Sequence, residues 1–145
     1  MSYYSYNEGY PCSCQQAPRF EVWQGNELQL ELIGATAAPP EGIPFDFTSA
    51  TAVFLLKDRS KDPDEQAAFT ASTENGGIQI TDALNGKMVA VIKGEDSEAL
   101  GAQSWGCPYR DYFGQFAVKL RDERIIRSAL FKVRFYQGAI QTFGN

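Results

Sequence analysis

Histidine is absent from all 145 residues, which removes the commonest general base and a leading metal ligand at once. Cysteine is scarce and odd in number: Cys12 and Cys14 flank Ser13, and Cys107 stands apart in a Trp-Gly-Cys-Pro stretch. One bridge would strand a thiol, so an intramolecular disulfide framework is a poor reading. Three alternatives stay open for these cysteines: free thiols, a disulfide between subunits, or three thiolates on a metal completed by a carboxylate, a water or a neighbouring chain.

Long apolar runs are missing too. Nothing approaches the roughly 18 consecutive apolar residues of a membrane span. The opening MSYYSYNEGYPCSC has neither the basic start nor the apolar middle of a signal peptide. The expectation is a chain made and kept in a cytosol, or packaged from one, with no membrane partner. Basic residues are outnumbered, 13 Lys and Arg against 18 Asp and Glu, for a net charge of −5, and they are scattered among acids. Phosphate-backbone binding needs clustered cations, so nucleic acid is not an expected partner. Gly76-Gly77 and Gly101 lack phosphate-loop spacing and read as turn glycines.

Catalytic constellations fare no better. Cys107 lies near Tyr109, Arg110 and Asp111, and an arginine can lower a thiol's pKa, but no base accompanies it. Asp62, Asp64 and Glu65 lack the spaced ligands and closing Glu of a calcium loop, and read as a solvated charged loop. Glu95, Asp96 and Glu98 decorate one helical turn. No enzyme activity, catalytic residue, metal or cofactor is expected.

What is present is β-structure. With 43% hydrophobic and 13% aromatic residues, the chain can bury the core of one domain and is too short for two. It divides into an extended arm over 1–18, a sandwich over 19–136 and a tail over 137–145. The arm holds Tyr3, Tyr4, Tyr6 and Tyr10, almost no aliphatic side chains and no periodic apolar face. Alone it could not offset its ordering entropy, and the expectation is that it lies on another subunit.

From Arg19 onward period-two alternation takes over. Phe20 and Val22 form a short strand before a Gly25-Asn26 turn. Leu28, Leu30 and Leu32 alternate with Gln29 and Glu31. The Pro- and Gly-rich ATAAPPEGIPFDF precludes regular structure. TAVFLLKD, apolar at both parities, reads as a central strand covered on both faces, and AAFTAST as an edge strand. GGIQITDALNGKMVAVIKGEDSEAL then spells strand, tight turn, strand and acidic helical turn, with Asn85-Gly86 suited to positive φ. GAQSWGCPYR is a loop. Tyr112, Phe116, Val118 and Leu120 share one face of the next strand, and Ala129, Phe131, Val133 and Phe135 one face of the last. Ile126 has the opposite parity, which predicts a bulge or register change near Arg127. Seven or eight such strands imply an antiparallel β-sandwich, with an immunoglobulin-like form as the best guess.

With Trp23-Gln24-Gly25-Asn26 before a Leu-rich strand, then PFDFTSATAVFLLKD, then the hairpin with its Asn-Gly-Lys turn and acidic residues before Ala-Leu, then DYFGQFAVKLRDERIIRSALFKVRF, the order resembles a known family. It is similar to the immunoglobulin-like domain of tailed-bacteriophage structural proteins, including the N-terminal domain of upper baseplate proteins and related small tail-region proteins. The match runs from about Arg19 to Phe135. Asp46-Phe47-Thr48-Ser49 stands where an Asp-Leu-Thr-Gly opening is typical. The loop from Gly101 to Arg110 is longer and more aromatic than usual, and the tyrosine-rich arm lies outside the pattern.

The resemblance implies a non-enzymatic virion protein assembled in the host cytoplasm, at the tail, baseplate or fibre attachment. Its partners would be other virion proteins and further copies of itself in a symmetric assembly. Tyr3, Tyr4, Tyr6 and Tyr10 of the arm, with Trp105 and Tyr109 of the aromatic loop, are the expected interface, because such rings supply large contact area with few rotors to freeze. Two other readings are a capsid decoration protein, and a carbohydrate-binding module that contacts a host surface through Trp105 and Tyr109.

Overall fold

The computed structural model describes residues 19–36, 42–101 and 108–137. Nine strands and one short helix follow in order: β1 (Arg19–Trp23), β2 (Leu28–Ile33), β3 (Thr51–Lys57), β4 (Phe69–Ser72), β5 (Ile78–Asp82), β6 (Lys87–Ile92), α1 (Gly94–Leu100), β7 (Tyr109–Lys119), β8 (Ile125–Arg127) and β9 (Phe131–Tyr136). They build an all-β sandwich. One sheet runs β1-β9-β7-β3-β4, with β8 also on β7; the other runs β2-β6-β5.

Alternation decides what goes inside. Phe54 and Leu56 of β3, Met88, Ala90 and Ile92 of β6, and Phe131, Val133 and Phe135 of β9 are all fully buried between the sheets. Tyr112, Phe116 and Val118 of β7, with Leu120 just past its end, join them, on the face their spacing predicts. One hydrophobic core results, with Leu30 and Leu32 of β2 closing it from the second sheet.

Five details differ from the sequence reading. The pairing is antiparallel except for β1, which lies parallel to β9. This is permitted because the chain leaves β1 for the opposite sheet through the turn at Gly25, whose φ is +91°, and never has to form a hairpin with β9. Among the described residues there are nine strands, where seven or eight were expected, because the return strand of the last hairpin is split. β8 sets Ala117 opposite Arg127, whereas β9 sets Gly114 opposite Phe131, a register change of one residue. That is the bulge anticipated from Ile126, and Ser128 marks its start: its N–H and hydroxyl oxygen bond to Phe116.

β3 is central, between β7 and β4, but it is not covered on both faces: Val53 and Leu55 are only half-buried on the outer side. The β5–β6 connection is wider than a two-residue turn. Only Gly86 of the Asn85-Gly86 pair takes positive φ, +67°, and its N–H returns to the carbonyl of Ala83 at 3.2 Å. The extra residue shifts the ladder between Ile80 and Asp82. Finally, Tyr109 and Arg110 belong to β7 and not to the preceding loop.

α1 packs where β1 turns into β2. Ser97, fully buried, accepts a 2.9 Å bond from the Gly25 N–H, and the Gln24 side chain donates to the Glu98 carbonyl at 2.9 Å. Below the helix, the buried Tyr112 hydroxyl donates to the Leu100 carbonyl at 2.8 Å. Burial pushes that phenol's pKa up, so it stays a donor. Tyr112→Phe leaves the Leu100 carbonyl without this partner and is expected to cost about 1–2 kcal/mol. Urea denaturation monitored by fluorescence would register this as a lower midpoint at unchanged slope.

Candidate interaction surface

The outer face of the larger sheet carries the side chains that β1, β9 and β7 do not bury. Strand register brings three of their aromatic residues into one row. Trp23 of β1 stands opposite Tyr136 of β9, which stands opposite Tyr109 of β7. The Trp23 and Tyr136 rings are 5.2 Å apart, and those of Tyr136 and Tyr109 are 6.1 Å apart. Trp23 is 57% exposed although it sits within a strand. The α1 contacts fix its backbone, since Trp23 ends β1 just where Gln24 and Gly25 are tied to the helix.

Charged groups brace the row. The Arg134 guanidinium lies 3.6 Å from the centre of the Tyr109 ring and donates two bonds to the Asp111 carboxylate, at 2.7 and 2.9 Å. Planar, forked geometry allows arginine to stack and pair in this way together. These bonds hold the Asp111 carboxyl below its ordinary value of 3.8, against the opposing effect of burial. They also hold Arg134 firmly protonated. At the other end, the Tyr136 hydroxyl donates to Glu21 at 2.9 Å, and Glu21 pairs with Arg19 at 2.9 Å.

Further along the same face, Lys132 lies 5.5 Å from the Phe113 ring centre. Beyond that the surface becomes a shallow trough of about 470 Å³, lined by small side chains such as Val53, Thr70 and Ala117 and flanked by Ile125 and Arg127. The face is thus aromatic at one end and smooth at the other.

Of the residues expected at an interface, Tyr109 takes its place in this row. Tyr3, Tyr4, Tyr6, Tyr10 and Trp105 lie outside the described residues, as do Cys12, Cys14 and Cys107. Trp23, Tyr136, Asp111 and Arg134 were not among the expected residues. Their signal was an aromatic on the polar parity of a strand: Trp23 follows Arg19 and Glu21, and Tyr136 follows Lys132 and Arg134, at intervals of two.

Chemically, the row offers ring faces and a stacked guanidinium for contact. The carboxylates with depressed pKa lie on three separate segments and each answers to a local partner: Asp46 to Thr48, Asp122 to Arg124 and Asp111 to Arg134. Among the described residues no cluster of Cys, Asp and Glu is arranged to hold a metal ion, and no helix is long and apolar enough to cross a membrane. No protein-family model matches the chain, and no curated protein is significantly similar to it.

Proposed function

We propose that this chain is a non-enzymatic structural protein of a tailed-bacteriophage virion, an immunoglobulin-like subunit of the tail, baseplate or fibre attachment that works by protein–protein contact. The observation that carries the contact reading is the aromatic row, with a largely exposed tryptophan held in register beside two tyrosines and a stacked arginine. Trp, Tyr and Arg are the residues in which interface energy concentrates.

The strand order supports the immunoglobulin-like part of the proposal. Placing β2, β6 and β5 against β9, β7, β3 and β4 divides the strands as a variable-type domain does. The bond from Tyr112, near the start of β7, back to Leu100 is similar to the tyrosine corner of such folds. A sugar platform is the less favoured use of the row, because its rings are inclined by 38° and 67° and present no flat surface to a pyranose.

The test is incorporation into particles. When tagged chain is supplied during phage assembly, the wild type should co-purify with particles, and Trp23→Ala should lower its incorporation about tenfold with an unchanged melting temperature. Absence of the wild type from purified particles would overturn the virion reading. Normal incorporation of the alanine variant would overturn the row as the contact. Glycan-array binding that Trp23→Ala abolishes would favour the carbohydrate reading instead.

A further inference from the structure

The larger sheet ends on β4, which among the described residues has only β3 as a strand partner. Such an edge displays the backbone groups of alternate residues, a template on which another strand can pair. Charged side chains are the usual guard, and the other three edge strands carry them. β1 has Arg19 and Glu21, β2 has Glu31, and β5 ends at Asp82 in a ladder that shifts register. Residues 67–73, AAFTAST, contain no charge and no proline. By composition, β4 is the unguarded edge.

Its displayed groups are nonetheless taken. The Thr73 N–H bonds to the Ala52 carbonyl at 3.1 Å, so by alternation the backbone groups of Ser72 and Thr70 face away from β3. On that side stands the Asn75 carboxamide. Its Oδ1 accepts the Ser72 N–H at 2.9 Å, and its Nδ2 donates to the Thr70 carbonyl at 3.4 Å. These two groups flank Ala71, and an antiparallel neighbour would bind both of them through two of its own peptide units. Here one side chain brings the donor and the acceptor together. Ser72 holds that side chain in turn, its Oγ accepting the Asn75 N–H at 3.0 Å. The same Oδ1 accepts the Gly77 N–H at 2.8 Å, and the Gly77 carbonyl accepts the Val91 N–H of β6 at 2.9 Å. Asn75 therefore bridges the edge of the larger sheet to the smaller sheet. The fit is close: a Cβ at Gly77 would stand 2.7 Å from the Ala71 Cβ and 2.9 Å from the Asn75 Oδ1, so only glycine lets the chain pass this near.

We infer that Asn75 is an edge block, its carboxamide occupying the place of an added strand and keeping β4 from pairing with the β4 of a second copy. A local turn needs only the reciprocal bonds between Ser72 and Asn75. The bond to Thr70 reaches back along the strand and covers the edge itself. A second copy is the strand excluded, because two β4 edges related by a two-fold axis run antiparallel and bring no like charges together. Two β2 edges would instead set their glutamates against each other. This inference does not rest on the virion proposal and can fail without it.

The experiment compares full-length wild type and Asn75→Ala by sedimentation velocity across a range of concentrations, with amide hydrogen exchange followed at Ser72. Asn75→Ala should self-associate about tenfold more tightly than the wild type. Its Ser72 amide should exchange faster than in the wild type when dilute and slow again as the concentration rises, the signature of strand pairing. Adding Thr70→Lys, at an exposed position on the same edge, should return sedimentation to that of the wild type. Asn75→Ser covers the case in which alanine unfolds the turn. Its hydroxyl can hold the turn but cannot reach both Thr70 and Ser72, and it should associate in the same way. Wild-type sedimentation of both variants, with faster Ser72 exchange at every concentration, would overturn the inference and leave Asn75 a turn residue only. Association that Thr70→Lys does not reverse would overturn it as well.

Discussion

Phe131→Ala is expected to cost about 3–5 kcal/mol, a large part of what holds a domain of this size together. The ring is stacked on Phe54 with an interplanar angle of 8°, edge-on to Phe20 and tilted against Phe116, so its removal strips contacts from three other aromatics together. It also rests on the backbone of β7: a Cβ added at Gly114 would come within 2.6 Å of it. With β7 locked between β3 and β9, the cavity has no easy way to collapse. Phe113→Ala provides the contrast. Its ring lies on the outer face, half-buried beneath Lys132, and its loss should cost less than about 1 kcal/mol. Urea midpoints separate the two variants, and comparable losses would contradict the facing assigned to β7.

The same parity argument explains how much of the fold could be read from the sequence. β7 and β9 each keep strict alternation, so their buried residues could be named at sight, and the single residue that broke the pattern, Ile126, disclosed the bulge. Alternation cannot say in which direction a strand pairs. The parallel placement of β1 depends on which sheet the chain enters after Gly25, a tertiary choice with no local signature. Nor does an apolar run reveal its depth: Val53 and Leu55 read as buried on both sides of β3, and they instead floor part of an open outer face. The aromatic row was the least legible part, because Trp23, Tyr109 and Tyr136 are brought together only by register. Each alone is one ring among charges on a polar parity, with nothing to mark it out from a solvated face.

Breaking the Asp111–Arg134 pair should have the second-largest effect, and its dependence on pH identifies the cause. Both side chains are mostly shielded, 27% and 16% exposed, so the pair escapes most of the screening that makes surface ion pairs nearly neutral. Arg134→Gln leaves the carboxylate without its fork and is expected to lower the melting temperature near neutral pH. Asp111 has its pKa depressed in the folded state, so its stabilisation is fully present above its ordinary value of 3.8 and is lost as the pH falls through the lower folded value. Thermal melts should therefore show the wild type and Arg134→Gln converging below about pH 4 and separated above it. A constant gap across that range would mean that the loss comes from packing on Tyr109 instead of from charge. Arg134→Lys distinguishes the two further. It keeps the positive charge but neither the fork nor the flat face that covers Tyr109, so it should recover only part of the stability at neutral pH. If the stacked guanidinium also sets the tilt of the aromatic row, the lysine variant should be as poorly incorporated into particles as Trp23→Ala, despite its better stability.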